Sequence, residues 1–197
     1  MSFRTFAAEA LADYKTTGAV APSSRFLARA MLEPLKLTPG SVIVELGPGT
    51  GVMTRALLDI LPADGTILAF EISERFYSYL KERISDKRLV ILRTGAENLK
   101  KELHKRGYNQ VDAIVSSLAL GFFSDAQRRD LLESFPPFMS ENSVYTQYQY
   151  VQGLELKHGR FRRFSIQPLL RQYFGSVRCK TVWRNIPPAF VFACRKK

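Results

Sequence analysis

Two carboxylates bracket the stretch of sequence best suited to chemistry. Glu45 stands next to last in the apolar run "SVIVEL" and Glu71 ends "TILAFE", with Gly47, Gly49 and Gly51 between them. Glycines let a backbone turn sharply and let a ligand come close. A strand that runs through such a loop into a helix brings backbone N–H groups to one point. Three features narrow the ligand. The glycines run G-x-G-x-G, not the G-x-G-x-x-G of a dinucleotide loop. Glu45 stands two residues before Gly47, where it would repel a pyrophosphate and welcome an amino group. Glu71 follows Gly51 by 20 residues, at the end of the next strand, where a carboxylate holds a ribose diol.

An amino acid attached to a nucleoside meets all three conditions, and S-adenosylmethionine is such a molecule. The pattern resembles the class I methyltransferases over about residues 40–150. That resemblance implies that Glu45, Gly47, Gly49, Thr50 and Gly51 face the methionine part, and that Glu71, with Ile72 beside it, faces the ribose. The family's third motif, Gly-Asp-Ala, reaches the adenine amino group through its Asp. Here the residues are Thr94-Gly95-Ala96-Glu97, with Gly95 at the Asp position. Either Glu97 takes over beside Ala96, or backbone and apolar contacts hold the adenine. The competing reading of Glu97 is an exposed acid at a helix start.

These residues need an alternating α/β frame. The strand-like runs are "SVIVEL", "TILAFE", "LVILR", "VDAIVSS", "SVYTQYQYV", "VRCKTVW" and "AFVFACR". Helical stretches separate them, including "VMTRALLDIL", "SERFYSYLKERI" and "SDAQRRDLLESF". A basic stretch leads from the fifth run to the helix "QPLLRQYF". The expected fold is α/β, a Rossmann-like sheet of seven mostly parallel strands with strand seven antiparallel. Ahead of it, "FRTFAAEALADY" places Phe3, Phe6, Ala7, Ala10, Leu11 and Tyr14 on one helical stripe. Residues 1–22 are therefore read as an N-terminal amphipathic helix and loop, and residues 23–197 as the methyltransferase domain.

In such a sheet the acceptor sits beyond the carboxyl end of strand four. Ser116-Ser117-Leu118-Ala119 occupies that place, so Ser116 and Ser117 are candidates to line the pocket. Enzymes that methylate the adenine amino group carry Asn/Asp-Pro-Pro-Tyr or Asn-Leu-Pro-Tyr there. This chain has no amide, proline or aromatic in those four positions. Strand six runs parallel and strand seven returns, which puts the turn of "VWRNIPPAF" at the same edge. The basic stretch "GLELKHGRFRRF" emerges there as well. Arg184, Arg160, Arg162 and Arg163 thus become candidates for a phosphate, which the guanidinium fork suits. Asn185 is a candidate for a neighbouring oxygen.

Charge points the same way. The net charge is +11, and the segment from Glu155 onward holds eleven basic residues and one acid. Such asymmetry suits a polyanion, either nucleic acid or an anionic membrane surface. No apolar run reaches the roughly 18 residues of a membrane span. Cys179 and Cys194 make no disulfide framework, and no metal site is expected, with His104 and His158 isolated in sequence. The expected location is cytoplasmic, at the inner face of the membrane.

Four stretches, "GAVAPSSRFLARAM", "VELGPGTGVMTRALL", "YTQYQYVQG" and "VWRNIPPAF", together resemble the bacterial phospholipid N-methyltransferases. The resemblance runs from about residue 18 to the C-terminus. It implies a phospholipid substrate: phosphatidylethanolamine and its mono- and dimethyl forms, methylated towards phosphatidylcholine. An amine acceptor must lose a proton and align with the methyl. Tyrosines suit that task by accepting a hydrogen bond and offering a ring face to the cation. Tyr14, Tyr148 and Tyr150 are the candidates, with core packing as the competing reading of each. An RNA adenine methyltransferase and a small-amine methyltransferase are the alternatives. A non-catalytic cofactor-binding module is a third class, kept open by Gly95.

Overall fold

The computed structural model describes residues 24–157 and 160–197, apart from the side chains of residues 154–161. The segment 1–22 with Tyr14, residue His158 and the Arg160 side chain lie outside the described residues.

The described residues open with helix α1 (Arg25–Leu32), capped by Ser24, whose hydroxyl accepts from the Leu27 N–H at 3.2 Å. Strand β1 (Val42–Leu46), α2 (Val52–Ile60), β2 (Thr66–Phe70), α3 (Glu74–Arg83) and β3 (Leu89–Leu92) follow. Then come α4 (Leu99–Lys105), β4 (Val111–Ser116), α5 (Asp125–Glu133) and β5 (Met139–Tyr150). Strands β6 (Leu154–Lys157) and β7 (Arg160–Arg163), helix α6 (Gln167–Tyr173), β8 (Ser176–Val182) and β9 (Ala189–Arg195) complete it. Caps start the helices where the sequence offers them. Ser73 caps α3, and Ser124 with Gln127 forms a full capping box on α5.

Seven strands form one sheet in the order β3-β2-β1-β4-β5-β9-β8. Strands β1 to β5 are parallel, and β9 runs antiparallel between β5 and β8. Parallel strands covered on both faces must be apolar on both, which is why β1 and β2 read as near-continuous apolar runs. One face packs Val44, Leu46, Leu68, Phe70 and Tyr145 under α4, α5 and α6. The other packs Ile43, Ile67, Ala69, Val115 and Val144 under α1, α2 and α3. The doubly wound sheet with an antiparallel strand seven is the expected one.

Two segments differ from expectation. The basic stretch after β5 is not a plain connector, because β6 and β7 pair antiparallel as a separate hairpin. Its arms have only four residues each, too few for an alternation signal to stand out, and charged residues fill the second. Strand β5 also starts at Met139, four residues before Ser143, with an irregularity opposite Val111 and Ala113.

The turn between β8 and β9 is tied to α1. Asn185 is 2% exposed; its Oδ1 accepts from the Ser24 N–H at 3.1 Å, and its Nδ2 donates to the Pro187 carbonyl at 2.6 Å. The amide that was expected to face substrate is therefore a clamp between two parts of the fold 161 residues apart. Asn185→Ala strips the Ser24 N–H of its acceptor, at a cost of about 1–3 kcal/mol. A lower urea midpoint with an unchanged slope is the expected result.

Candidate active site

Strand β1 carries Glu45 to the sheet's carboxyl edge, fully buried on the α2 side. Its Oε1 accepts from Thr54 Oγ1 of α2 at 3.0 Å. Among the described residues, Glu45 Oε2 and Thr146 Oγ1 are the buried side-chain oxygens left with no hydrogen-bond partner. Burial pushes the Glu45 carboxyl up to about 8, against the Thr54 hydrogen bond, and the nearby Glu71 charge adds to the rise. A buried carboxyl with an orphaned oxygen is costly without a partner. An ammonium group answers both the charge and the missing hydrogen bond.

That proton gives the site a pH dependence. Between about 4.5 and about 8 the folded ligand-free protein keeps a proton that the unfolded chain has lost. Its stability from this group therefore falls as pH rises through that window. Cofactor affinity runs the opposite way, because an ammonium pairs with the ionised form. Affinity should rise from pH 6 to pH 8, by at most about tenfold per pH unit. Calorimetric titrations at each pH check this, and Glu45→Gln should flatten the slope.

The loop after Glu45 turns through left-handed backbone at Gly49 (φ 57°) and Gly51 (φ 80°). A side chain on Gly49 would project into open space, where a ligand can lie against the backbone. Gly51 serves packing instead: a Cβ there would stand 2.8 Å from both Leu80 and Ile84 of the α3 segment. Gly47 is crowded from the acceptor side, with Leu118 Cδ2 3.1 Å from where its Cβ would be. Thr50 is exposed at the tip of the loop. Helix α2 starts on Gly51 without a side-chain cap, leaving its first N–H groups facing the loop.

Glu71, 4% exposed, holds that loop in place. Its Oε2 accepts from the Gly49 N–H at 3.0 Å and its Oε1 from the Ser73 N–H at 2.8 Å. Ile72 lies half-buried between them. At the end of β3, Ala96 is buried and Glu97 is exposed. The Glu97 carboxylate folds back over Gly95, with Oε2 in the space that a Gly95 Cβ would take. The missing side chain at position 95 thus leaves room that a carboxylate from two residues on fills.

On the acceptor side the expected residues separate. Ser116 is fully buried, its hydroxyl accepting from the Leu118 N–H at 3.4 Å and bonded to Tyr145 on the α4 side of the sheet. Its hydroxyl is thereby engaged within the fold, at the end of β4. Ser117 is half-buried, donating its backbone N–H to Leu46 at 2.9 Å beside the glycine loop. Tyr148 and Tyr150 are half-buried on the opposite face from Ser116, at the carboxyl end of β5, with ring centroids 5.6 Å apart and edge-on. Arg184 is exposed and lies over the Phe26 ring at 4.7 Å. Arg162 and Arg163 are exposed on the hairpin.

Sequence reasoning passed over Thr54 and Gln147. Gln147 accepts from the Tyr145 hydroxyl at 2.9 Å and donates to the Leu118 carbonyl at 3.0 Å, tying the acceptor loop to β5. Thr54 could have been found, since it stands one helical turn inside α2 and so faces back towards Glu45. Among the described residues no cluster of His, Cys, Asp or Glu could hold a metal ion, and no helix is long and apolar enough to cross a membrane.

Residues 43–138 match the family model described as a methyltransferase domain. The fold is that of a class I S-adenosylmethionine-dependent methyltransferase. The buried orphan oxygen of Glu45, the open space at Gly49 and the uncapped start of α2 fit that cofactor. The ornithine lipid N-methyltransferase of Singulisphaera acidiphila is 27% identical over 177 residues, covering 89% of this chain and 86% of that protein. Among solved structures, the mycolic acid cyclopropane synthase CmaA1, complexed with SAH and CTAB, superposes with a TM-score of 0.64 at 14% identity, covering 86% of this chain and 82% of its own. An rRNA methylase from Streptococcus thermophilus gives 0.58 at 16%, covering 86% and 94%. Both likenesses concern the fold alone.

Proposed function

We propose that this methyltransferase acts on the head-group amine of a phospholipid, phosphatidylethanolamine and its mono- and dimethyl forms, towards phosphatidylcholine. The Tyr148–Tyr150 pair at the carboxyl end of β5 carries this reading. It stands beside an acceptor edge with no carboxylate in residues 116–119 or 149–152. The similarity to a lipid N-methyltransferase along nearly the whole chain supports it. Bound S-adenosylmethionine supplies an electrophilic methyl on a sulfonium sulfur.

The chain's part is to bind and align. The head-group amine sheds its proton to water before it is enclosed. Burial, then the neighbouring Tyr148, raises the Tyr150 phenol above its ordinary range, so it stays protonated and is no base. Its oxygen accepts a hydrogen bond from the amine, and the paired rings face the quaternary charge as it forms. Arg184 takes the lipid phosphate. Supplying labelled cofactor with phosphatidylethanolamine vesicles tests the reading: label should appear in methylated lipid, and its absence would remove this substrate. Ornithine lipid is the second reading, favoured by the relative's name, and shares the primary amine.

Glu97 is proposed to hold the adenine amino group in place of the absent acid at position 95. Losing one charge-assisted hydrogen bond costs about 1.5–3 kcal/mol, so Glu97→Ala should weaken S-adenosylhomocysteine binding by roughly tenfold or more. The deaminated analogue, with inosine for adenosine, should bind wild type and variant alike. Equal losses for both ligands would give Glu97 a structural role only.

A further inference from the structure

We propose that the turn joining β8 to β9 is the part of the molecule that enters the lipid surface, with Trp183 and Ile186 as its apolar tip. This rests on the lipid reading of the acceptor and deepens it by naming the docking surface. Trp183 is 72% exposed and Ile186 81%. Of the five large hydrophobic side chains exposed among the described residues, these two and Val151 stand on two neighbouring turns. The Val151 N–H donates to the Pro188 carbonyl at 2.9 Å, which joins those turns. Scattered apolar residues on a surface need no explanation, but a local group does.

The turn is held firmly while its tip is left bare. Asn185 anchors it to Ser24 and to Pro187 between the two exposed side chains. Arg184 and Arg25 both lie on the Phe26 ring, at 4.7 and 5.0 Å. Both arginines are exposed, so cationic groups flank the apolar tip. An indole with its ring in the acyl boundary and its N–H among head groups, beside arginines facing lipid phosphates, is the pattern of an interfacial anchor. A protein partner needs an interface of about 1,000 Å² or more, far beyond one short turn, whereas a bilayer requires no matching shape.

Position links docking to catalysis. Tyr150 pairs with Ala189, and Ala189 pairs with Val182, so the turn begins one residue beyond the row that holds Tyr150. A tip inserted there brings the acceptor edge down onto the head groups. The lipid amine then reaches the site without leaving the bilayer.

Trp183 is the single tryptophan of the chain, so its emission reports this tip and nothing else. The probe is vesicles of phosphatidylethanolamine and phosphatidylglycerol, with and without acyl-brominated lipid, and no cofactor. The free protein should emit as water-exposed indole; vesicles should shift the emission to the blue, and brominated lipid should quench it. Ile186→Ser should weaken the vesicle titration by about tenfold. Trp183→Ser with Ile186→Ser should lower turnover on vesicles and leave turnover on detergent-dispersed lipid unchanged. Emission already blue and shielded from acrylamide without vesicles would overturn the proposal, because protein then covers the tip. So would vesicle binding by sedimentation with no change in Trp183 emission. Docking without methylation of any lipid would instead sink the substrate reading and leave this surface standing.

Discussion

Glu71→Ala is expected to weaken cofactor binding by about a hundredfold or more, which corresponds to two charge-assisted hydrogen bonds of about 1.5–3 kcal/mol each. The carboxylate has two tasks. It holds the glycine loop through the Gly49 N–H and fixes the start of α3 through the Ser73 N–H. It is also the proposed acceptor for the ribose diol. Gly49→Val should act on the same site by another route, since its side chain would fill the open space and strain a backbone at φ 57°. Calorimetric titration with S-adenosylhomocysteine measures both. Circular dichroism should show the sheet intact in each variant. Wild-type affinity in both would take the cofactor away from this loop.

Arg184→Ala is expected to cut methyl transfer to phosphatidylethanolamine by roughly tenfold to a hundredfold, the loss of one hydrogen-bonded charge on a phosphate. Cofactor affinity should not change, because the glycine loop is untouched. The melting temperature should move little, since an exposed arginine over a phenyl ring contributes about 0.5–1 kcal/mol. Arg184→Lys should restore part of the rate, because an ammonium keeps the charge and lacks the planar fork. Full lipid methylation by Arg184→Ala would leave the residue a role in packing on Phe26 alone.

What the sequence made readable was local. Serine caps, the glycine loop and the apolar runs of parallel strands each act within a few residues, so their positions on the chain announce them. The two acids at the ends of β1 and β2 were readable for the same reason: each is a polar residue closing an apolar strand. The acceptor edge was readable only as a place. Ser116 and Tyr148 both belong to it by topology. The pleat then sends Ser116 towards Tyr145 and Tyr148 to the opposite face, a distinction set by register and not by residue type. Asn185 looked like a substrate ligand because it stands in a turn at the right edge. Its partner, the Ser24 N–H, is 161 residues away, and no local pattern points to it. Glu97 keeps both of its readings: it is exposed in the first turn of a helix, and its carboxylate lies over Gly95, where no local pattern would have placed it. The β6–β7 hairpin was missed because four-residue arms rich in charge look like a connector.

One measurement bears most directly on the central claim. The purified protein is given methyl-labelled S-adenosylmethionine with four acceptors in parallel: phosphatidylethanolamine in mixed vesicles, ornithine lipid in the same vesicles, free ethanolamine, and ribosomal RNA. Label is expected in the amine of phosphatidylethanolamine, passing through mono- and dimethyl products, with little in ethanolamine, which has no phosphate for Arg184. Label confined to RNA, with both lipids unmodified, would contradict it.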